Sequence, residues 1–197
     1  MDATLIEPLI NSFKQLVPQL TEAELDYIRP LIQVRELSKK EVLFAADTVQ
    51  REIAFVVKGL FRVFYVDDQG KEITIRFGAE GAYMTHYYSF IRQVPSFHTI
   101  QSLEPSIVAT LSYAHIQEAY LKYPRFERYG RLIAEEVLVA QAERIEGFLF
   151  KTAEQRYLDF MQHQSEIYNR VSLSHLSSYL GIERPSLSRI RKRISGG

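Results

Sequence analysis

From Asn169 onward the chain carries six Lys or Arg against one acid, while residues 1–168 carry 18 against 23. Overall neutrality therefore hides two segments of opposite sign, and only the basic one suits a polyanion such as double-stranded DNA. Five of the six cations sit in the stretch VSLSHLSSYLGIERPSLSRIRKRI, Val171 to Ile194, which reads as a helix, a glycine turn and a second helix. At ~100° per residue, a helix from Arg184 to Ile194 puts Leu187, Ile190 and Ile194 on one face. Pro185, Ser188, Arg189 and Lys192 fall opposite, with Arg193 beside them and Arg184 and Arg191 flanking the apolar stripe. One side can dock while the other reaches bases and phosphates. Ser186 completes the candidate contact set, and Arg184 and Arg189 matter most chemically. A planar guanidinium can pair with guanine O6 and N7 together, worth ~1–3 kcal/mol of discrimination.

Such a helix needs a support. Ser172 can cap a first helix that buries Leu176 and Leu180, Gly181 allows the turn, and Ile182 plugs the angle between the two helices. Ser172 and His175 are equally suited to phosphate contact and to plain capping and surface roles. Lys151 to Gln164 supplies a further helix, with Tyr157, Leu158, Phe160 and Met161, to pack this head. Before it, Arg125 to Phe150 contains no proline, and as one helix it would span about 39 Å. It bears two apolar stripes, Tyr129/Ile133/Val137/Ala140 and Leu138/Ala142/Ile145/Leu149. Two stripes need two partners, the chain's own body and the same helix of a second subunit, although a monomer that packs both remains open. The first stripe, with Arg144, is the candidate dimer interface.

Toward the N-terminus the pattern changes again. Residues 1–30 read as helical, with Leu5, Leu9, Phe13 and Leu16 at helical spacing and Thr21 and Glu24 in capping-box positions. From about Leu31 to Leu111 the period becomes two. LFRVFYV and KEITIRF flank the turn Asp67-Asp68-Gln69-Gly70, a hairpin in which Ile73, Ile75 and Phe77 alternate with Glu72, Thr74 and Arg76. Gly59 and Gly81 mark further turns, so the expected fold class is α+β. It comprises an antiparallel β-barrel or jelly roll over 1–123, a dimerisation helix over 124–150 and a helix-turn-helix domain over 151–197.

Composition narrows the function classes. The chain has 197 residues and no cysteine, which removes disulfides, thiolate zinc sites and cysteine-held iron–sulfur clusters. MDATLIEPLI lacks the basic start and apolar core of a secretory signal, and no run of about 18 apolar residues exists. The expected location is the cytoplasm, with no membrane partner.

Barrel, long helix and C-terminal head, in that order, resemble the Crp/Fnr family of transcription regulators across nearly the whole chain. The likeness is strongest in GIERPSLSRIRKRI and in VVKGLFRVFYVDDQGKEITIRF. KTAEQRYLDF followed by the head is similar to the members common in Bacteroidetes. The resemblance implies a homodimer with a winged helix-turn-helix, a cyclic-nucleotide-binding-like barrel, and double-stranded DNA and RNA polymerase as partners. Two-fold symmetry would set the reading helices about 34 Å apart on a near-palindromic site. By the same resemblance Arg184, Ser188 and Arg189 match base- or phosphate-contacting positions. Pro185 stands where many members carry a glutamate, so specificity should differ.

The effector region departs further. Members that bind cyclic nucleotides follow the hairpin with a glycine–glutamate pair and, about ten residues later, an arginine for the cyclic phosphate. In GAYMTHYYSFIRQVPSFHTI, His86 aligns with the glutamate and Ser96 with the arginine, and Arg92 lies four residues early. A buried anion needs a charged partner or a cluster of amides. What stands there instead is Tyr83, His86, Tyr87, Tyr88, Ser89, Phe90, Phe97 and His98. These form either a pocket for a less charged small molecule or a tyrosine-filled core. The expectation is no bound cofactor, although His86 or His98 has the chemistry of a haem ligand, used in some members. From another class, a cupin-like metalloenzyme would share the barrel, but its sites want a His-x-His pair, and His86 and His98 are twelve apart. No Ser-His-Asp spacing or phosphate loop is present, so catalysis is not expected.

Overall fold

A computed structural model describes residues 3–195. Helices α1 (Glu7–Leu16) and α2 (Glu22–Ile28) come first. Thr21 starts α2 as the spacing predicts: its hydroxyl accepts from the Glu24 amide, and its own amide donates to the Glu24 carboxylate at 2.8 Å. Strands β1 (Gln33–Leu37), β2 (Val42–Phe44), β3 (Thr48–Val49), β4 (Glu52–Lys58), β5 (Phe61–Val66), β6 (Glu72–Gly78) and β7 (Tyr83–Met84) lead to helix α3 (Tyr87–Arg92). Then β8 (Pro95–Ser96), β9 (Thr99–Ser102) and β10 (Ser106–Ser112) complete the β-region. The strands form sheets ordered β1-β10-β4-β7 and β2-β9-β5-β6, with β3 paired to β8. β10 runs antiparallel to both its neighbours, Ala109 opposite Val34 on one side and Phe55 on the other. Neighbours distant in sequence make this a jelly roll rather than a meander. Gly59 turns β4 into β5 at φ +109°, where a Cβ would stand 2.1 Å from the Ser106 hydroxyl, so only glycine fits.

Helices α4 (Tyr113–Lys122), α5 (Pro124–Phe150), α6 (Ala153–His163), α7 (Ser165–Tyr168), α8 (Leu173–Leu180) and α9 (Arg184–Ser195) follow. Two compact units result. The first comprises the chain up to Val63 and Phe77–Val137; the second comprises Phe64–Arg76 and the chain from Leu138 onward. The chain thus passes from one to the other inside α5 rather than at residues 124 or 151. The core of the first unit joins Leu9, Ile10 and Phe13 of α1 and Leu25 and Ile28 of α2 to Phe55, Ala109 and the start of α5 at Phe126, Tyr129 and Ile133. That packing corrects one expectation. Tyr129 and Ile133, assigned to a second subunit, are buried within their own chain, because α1 lays Phe13 edge-on against Tyr129 at 4.6 Å. Among the described residues no strand lies between 151 and 195.

Candidate functional site

The basic segment folds as its spacing predicts. Ser172 caps α8 by accepting from the His175 amide at 3.1 Å, the role weighed against phosphate contact. Gly181 then adopts φ +62°, and Ile182, 7% exposed, fills the angle. Leu187 of α9 is fully buried with Leu176 and Leu180 of α8, Ile167 of α7 and Tyr157 and Phe160 of α6 elsewhere in the same unit's interior. Arg184, Arg189 and Lys192 are exposed on the other side, and Ser186 and Ser188 are half-buried. Arg189 donates from Nη2 to the Ser186 hydroxyl at 3.0 Å, which points its fork along the helix. Arg193 differs from its neighbours: it forms an ion pair with Glu154, a contact the linear pattern does not reveal. Arg191 lies over the Tyr168 ring at 5.5 Å.

Two further contacts hold α8, and neither was legible in the sequence. The hydroxyl of Ser178 accepts from the Thr74 amide at 2.9 Å and donates to the Glu72 carbonyl at 3.1 Å, capping the free edge of β6. Thr74, which alternates with the apolar residues of the hairpin, is fully buried. Arg144, expected at a dimer interface, instead stacks on Tyr179 at 4.2 Å and donates to the Tyr179 carbonyl at 3.0 Å. Burial draws its guanidinium below the ordinary arginine value.

Along the second half of α5 the picture reverses. Val137 is half-buried and Ala140 exposed, but Leu138, Ile145 and Leu149 are 67%, 60% and 69% exposed. With Ala142 they repeat at intervals of four, three and four, the spacing that a coiled-coil seam requires.

In the cassette, the structure brings three expected residues together. His86 Nδ1 lies 2.8 Å from the Ser96 hydroxyl, which also accepts from the His98 amide at 3.0 Å. The two imidazoles meet edge to face at 4.2 Å, and Phe97 and Tyr88 lie 5.3 and 6.2 Å from His86. Burial, then the neighbouring His86, pulls His98 down to about 4, and burial lowers His86. Both rings are therefore neutral near pH 7. Two assignments need correction. Tyr83 turns inward to a phenol chain with Tyr129 and Ser12, and Ser89 is buried, accepting from the Gln50 amide and donating to the Val94 carbonyl. Tyr87 is half-buried, and Arg92 is exposed and outside the histidine cluster. Buried Gln50, which sequence reasoning missed, accepts from the His86 amide at 2.7 Å and from Thr85. Among the described residues no group of three or more His, Cys, Asp or Glu could hold a metal ion, and no helix is long and apolar enough to cross a membrane.

Residues 34–123 match the family model of the cyclic nucleotide-binding domain. No curated protein matches the chain by sequence. Among solved structures, CLP, a c-di-GMP-responsive global regulator from Xanthomonas campestris, superposes with a TM-score of 0.72 at 14% identity, over 89% of this chain and 92% of that one. FixK2 from Bradyrhizobium japonicum gives 0.73 at 16%, over 84% and 85%. A Crp/Fnr-family transcriptional regulator from Eubacterium rectale gives 0.71 at 15%, over 93% and 88%. The chain has the fold of these regulators, a cyclic-nucleotide-binding jelly roll, a long helix and a C-terminal helical head.

Proposed function

We propose that this chain is a homodimeric, sequence-specific DNA-binding transcription regulator. One observation carries the reading: after a left-handed glycine turn, α9 docks through Leu187, 0% exposed, and leaves Arg184, Arg189 and Lys192 open to solvent. Those cations supply phosphate attraction and the arginine forks supply base pairing. Dimerisation rests on Leu138, Ala142, Ile145 and Leu149, whose exposed seam covers itself when two copies of α5 align. Ile145→Glu is expected to yield monomers in sedimentation. Selection of bound duplexes from a random pool tests binding, symmetry and half-site spacing together. Enrichment of an inverted repeat supports the reading, and recovery of unrelated sequences refutes it.

The effector differs from cyclic AMP in this reading. Ser96 and His86 occupy each other, both neighbouring imidazoles are uncharged at neutral pH, and a cyclic phosphate would gain no cation from them. A thermal-shift screen with cyclic mononucleotides and, given the behaviour of CLP, a cyclic dinucleotide tests this. Tight stabilisation by cyclic AMP would refute it.

A further inference from the structure

The end of α8 raises an accounting question that leads to a positioning role. A helix leaves its last four carbonyls without intrahelical partners. In α8 these belong to Ser177, Ser178, Tyr179 and Leu180. The turn serves the first two, with the Gly181 amide donating to Ser177 and Ser178 and the Ile182 amide to Ser177 at 3.0 Å. The other two are served from outside. Arg144 of α5 donates to Tyr179 O at 3.0 Å, and Arg156 of α6 donates through Nε to Leu180 O at 2.9 Å.

Both guanidiniums lie 4.9 Å from the Phe148 ring centre, so one aromatic side chain aligns two charge-assisted caps. The ring also meets the turn itself. A Cβ at Gly181 would stand 2.7 Å from Phe148 Cε1, so the glycine accommodates this ring as well as the backbone's positive φ. Finally, Arg156 Nη1 donates to Lys151 O at 2.8 Å, closing the α5–α6 junction. Cations at the negative end of a helix dipole add to the fit.

We propose that Phe148, with Arg144 and Arg156, is a bolt that fixes α8 to the end of α5, so that the second half of α5 and the reading head turn as one body. The junction at Lys151 and Thr152 is then no pivot. Phe148 is a positioning residue for α9 that touches no DNA. This rests on the DNA-reading function proposed above.

The test exploits the absence of cysteine in the chain. Spin labels at Glu143→Cys and Ser174→Cys, both exposed positions, report the α5–α8 distance in the full-length protein without DNA. The parent is expected to give one narrow distribution, Phe148→Ala and Arg144→Gln broad ones, and Phe148→Tyr a narrow one again. If loss of the bolt leaves a tenth of heads correctly presented, affinity for the selected duplex falls about tenfold. The salt dependence should stay unchanged, because the phosphate-facing cations remain. A Phe148→Ala distribution as narrow as the parent's, or unchanged affinity, would overturn the proposal. Should Phe148→Ala fail to fold by circular dichroism, Arg144→Gln, which keeps the ring, decides the matter by the same two readouts. A narrow parent distribution without duplex binding would instead sink the function while leaving the bolt standing.

Discussion

Replacing Arg189 by alanine should separate base reading from general attraction to DNA. The side chain is exposed and donates a hydrogen bond to Ser186, on its own helix, while docking depends on Leu187. Stability should therefore shift by no more than about 0.5 kcal/mol, the range for surface changes. Loss of a fork paired to guanine costs ~1–3 kcal/mol, which is about 5- to 150-fold in affinity on the preferred duplex. A random duplex should lose only the contribution of one charge. Lys192→Ala is the control, because a flexible ammonium acts on phosphates alone. It should weaken all sequences alike and reduce the log–log salt slope by about 0.9. Arg193→Ala should change that slope less, since Glu154 already pairs with the guanidinium and becomes unpaired in its turn. Fluorescence anisotropy on selected and scrambled duplexes, titrated between about 50 and 200 mM salt, reads all three. If Arg189→Ala weakens both duplexes by the same factor, base reading by this side chain is refuted.

Ser178→Ala should remove the acceptor of the Thr74 amide, costing ~1–3 kcal/mol and accelerating amide exchange at Thr74; unchanged exchange would exclude the clasp. Gly181→Ala meets both a positive φ and the Phe148 ring, so a loss of ~1–2 kcal/mol or more is expected in chemical denaturation. His98 is drawn from 6.5 to about 4 on folding, so the unfolded chain binds the extra proton. Stability is then full above about pH 6.5 and falls as pH drops toward 4, and His98→Gln should flatten that slope in pH-dependent melts.

The head was the most legible part of the sequence because its signals are local. Capping by Ser172, the left-handed glycine and the three-four spacing of Leu187 and Ile190 all act within one or two helical turns. The hairpin around Asp67–Gly70 and the capping box at Thr21 were readable for the same reason. Amphipathicity was less decisive. α5 carries two stripes of similar strength, and Phe13 of α1 packs against Tyr129 in the core that also takes Ile133, while Leu138, Ile145 and Leu149 are exposed. In the cassette, the residue types are aromatic and weakly polar. Nothing local distinguished His86 and Ser96, which meet, from Tyr83 and Ser89, which serve the interior.

By itself, the order of residues determined the succession of barrel, long helix and basic head, the turn chemistry between α8 and α9, and which cations could share a surface. These depend on periodicity and short-range hydrogen bonding, which act between near neighbours in the chain. Tertiary structure alone decided that Arg193 is tied to Glu154, that Arg144 and Arg156 cap α8, and that Ser178 closes the edge of β6. Each joins groups from 24 to more than 100 residues apart. At such separations a pairing is fixed by which buried carbonyls, amides and charges are left to satisfy once the packing is complete.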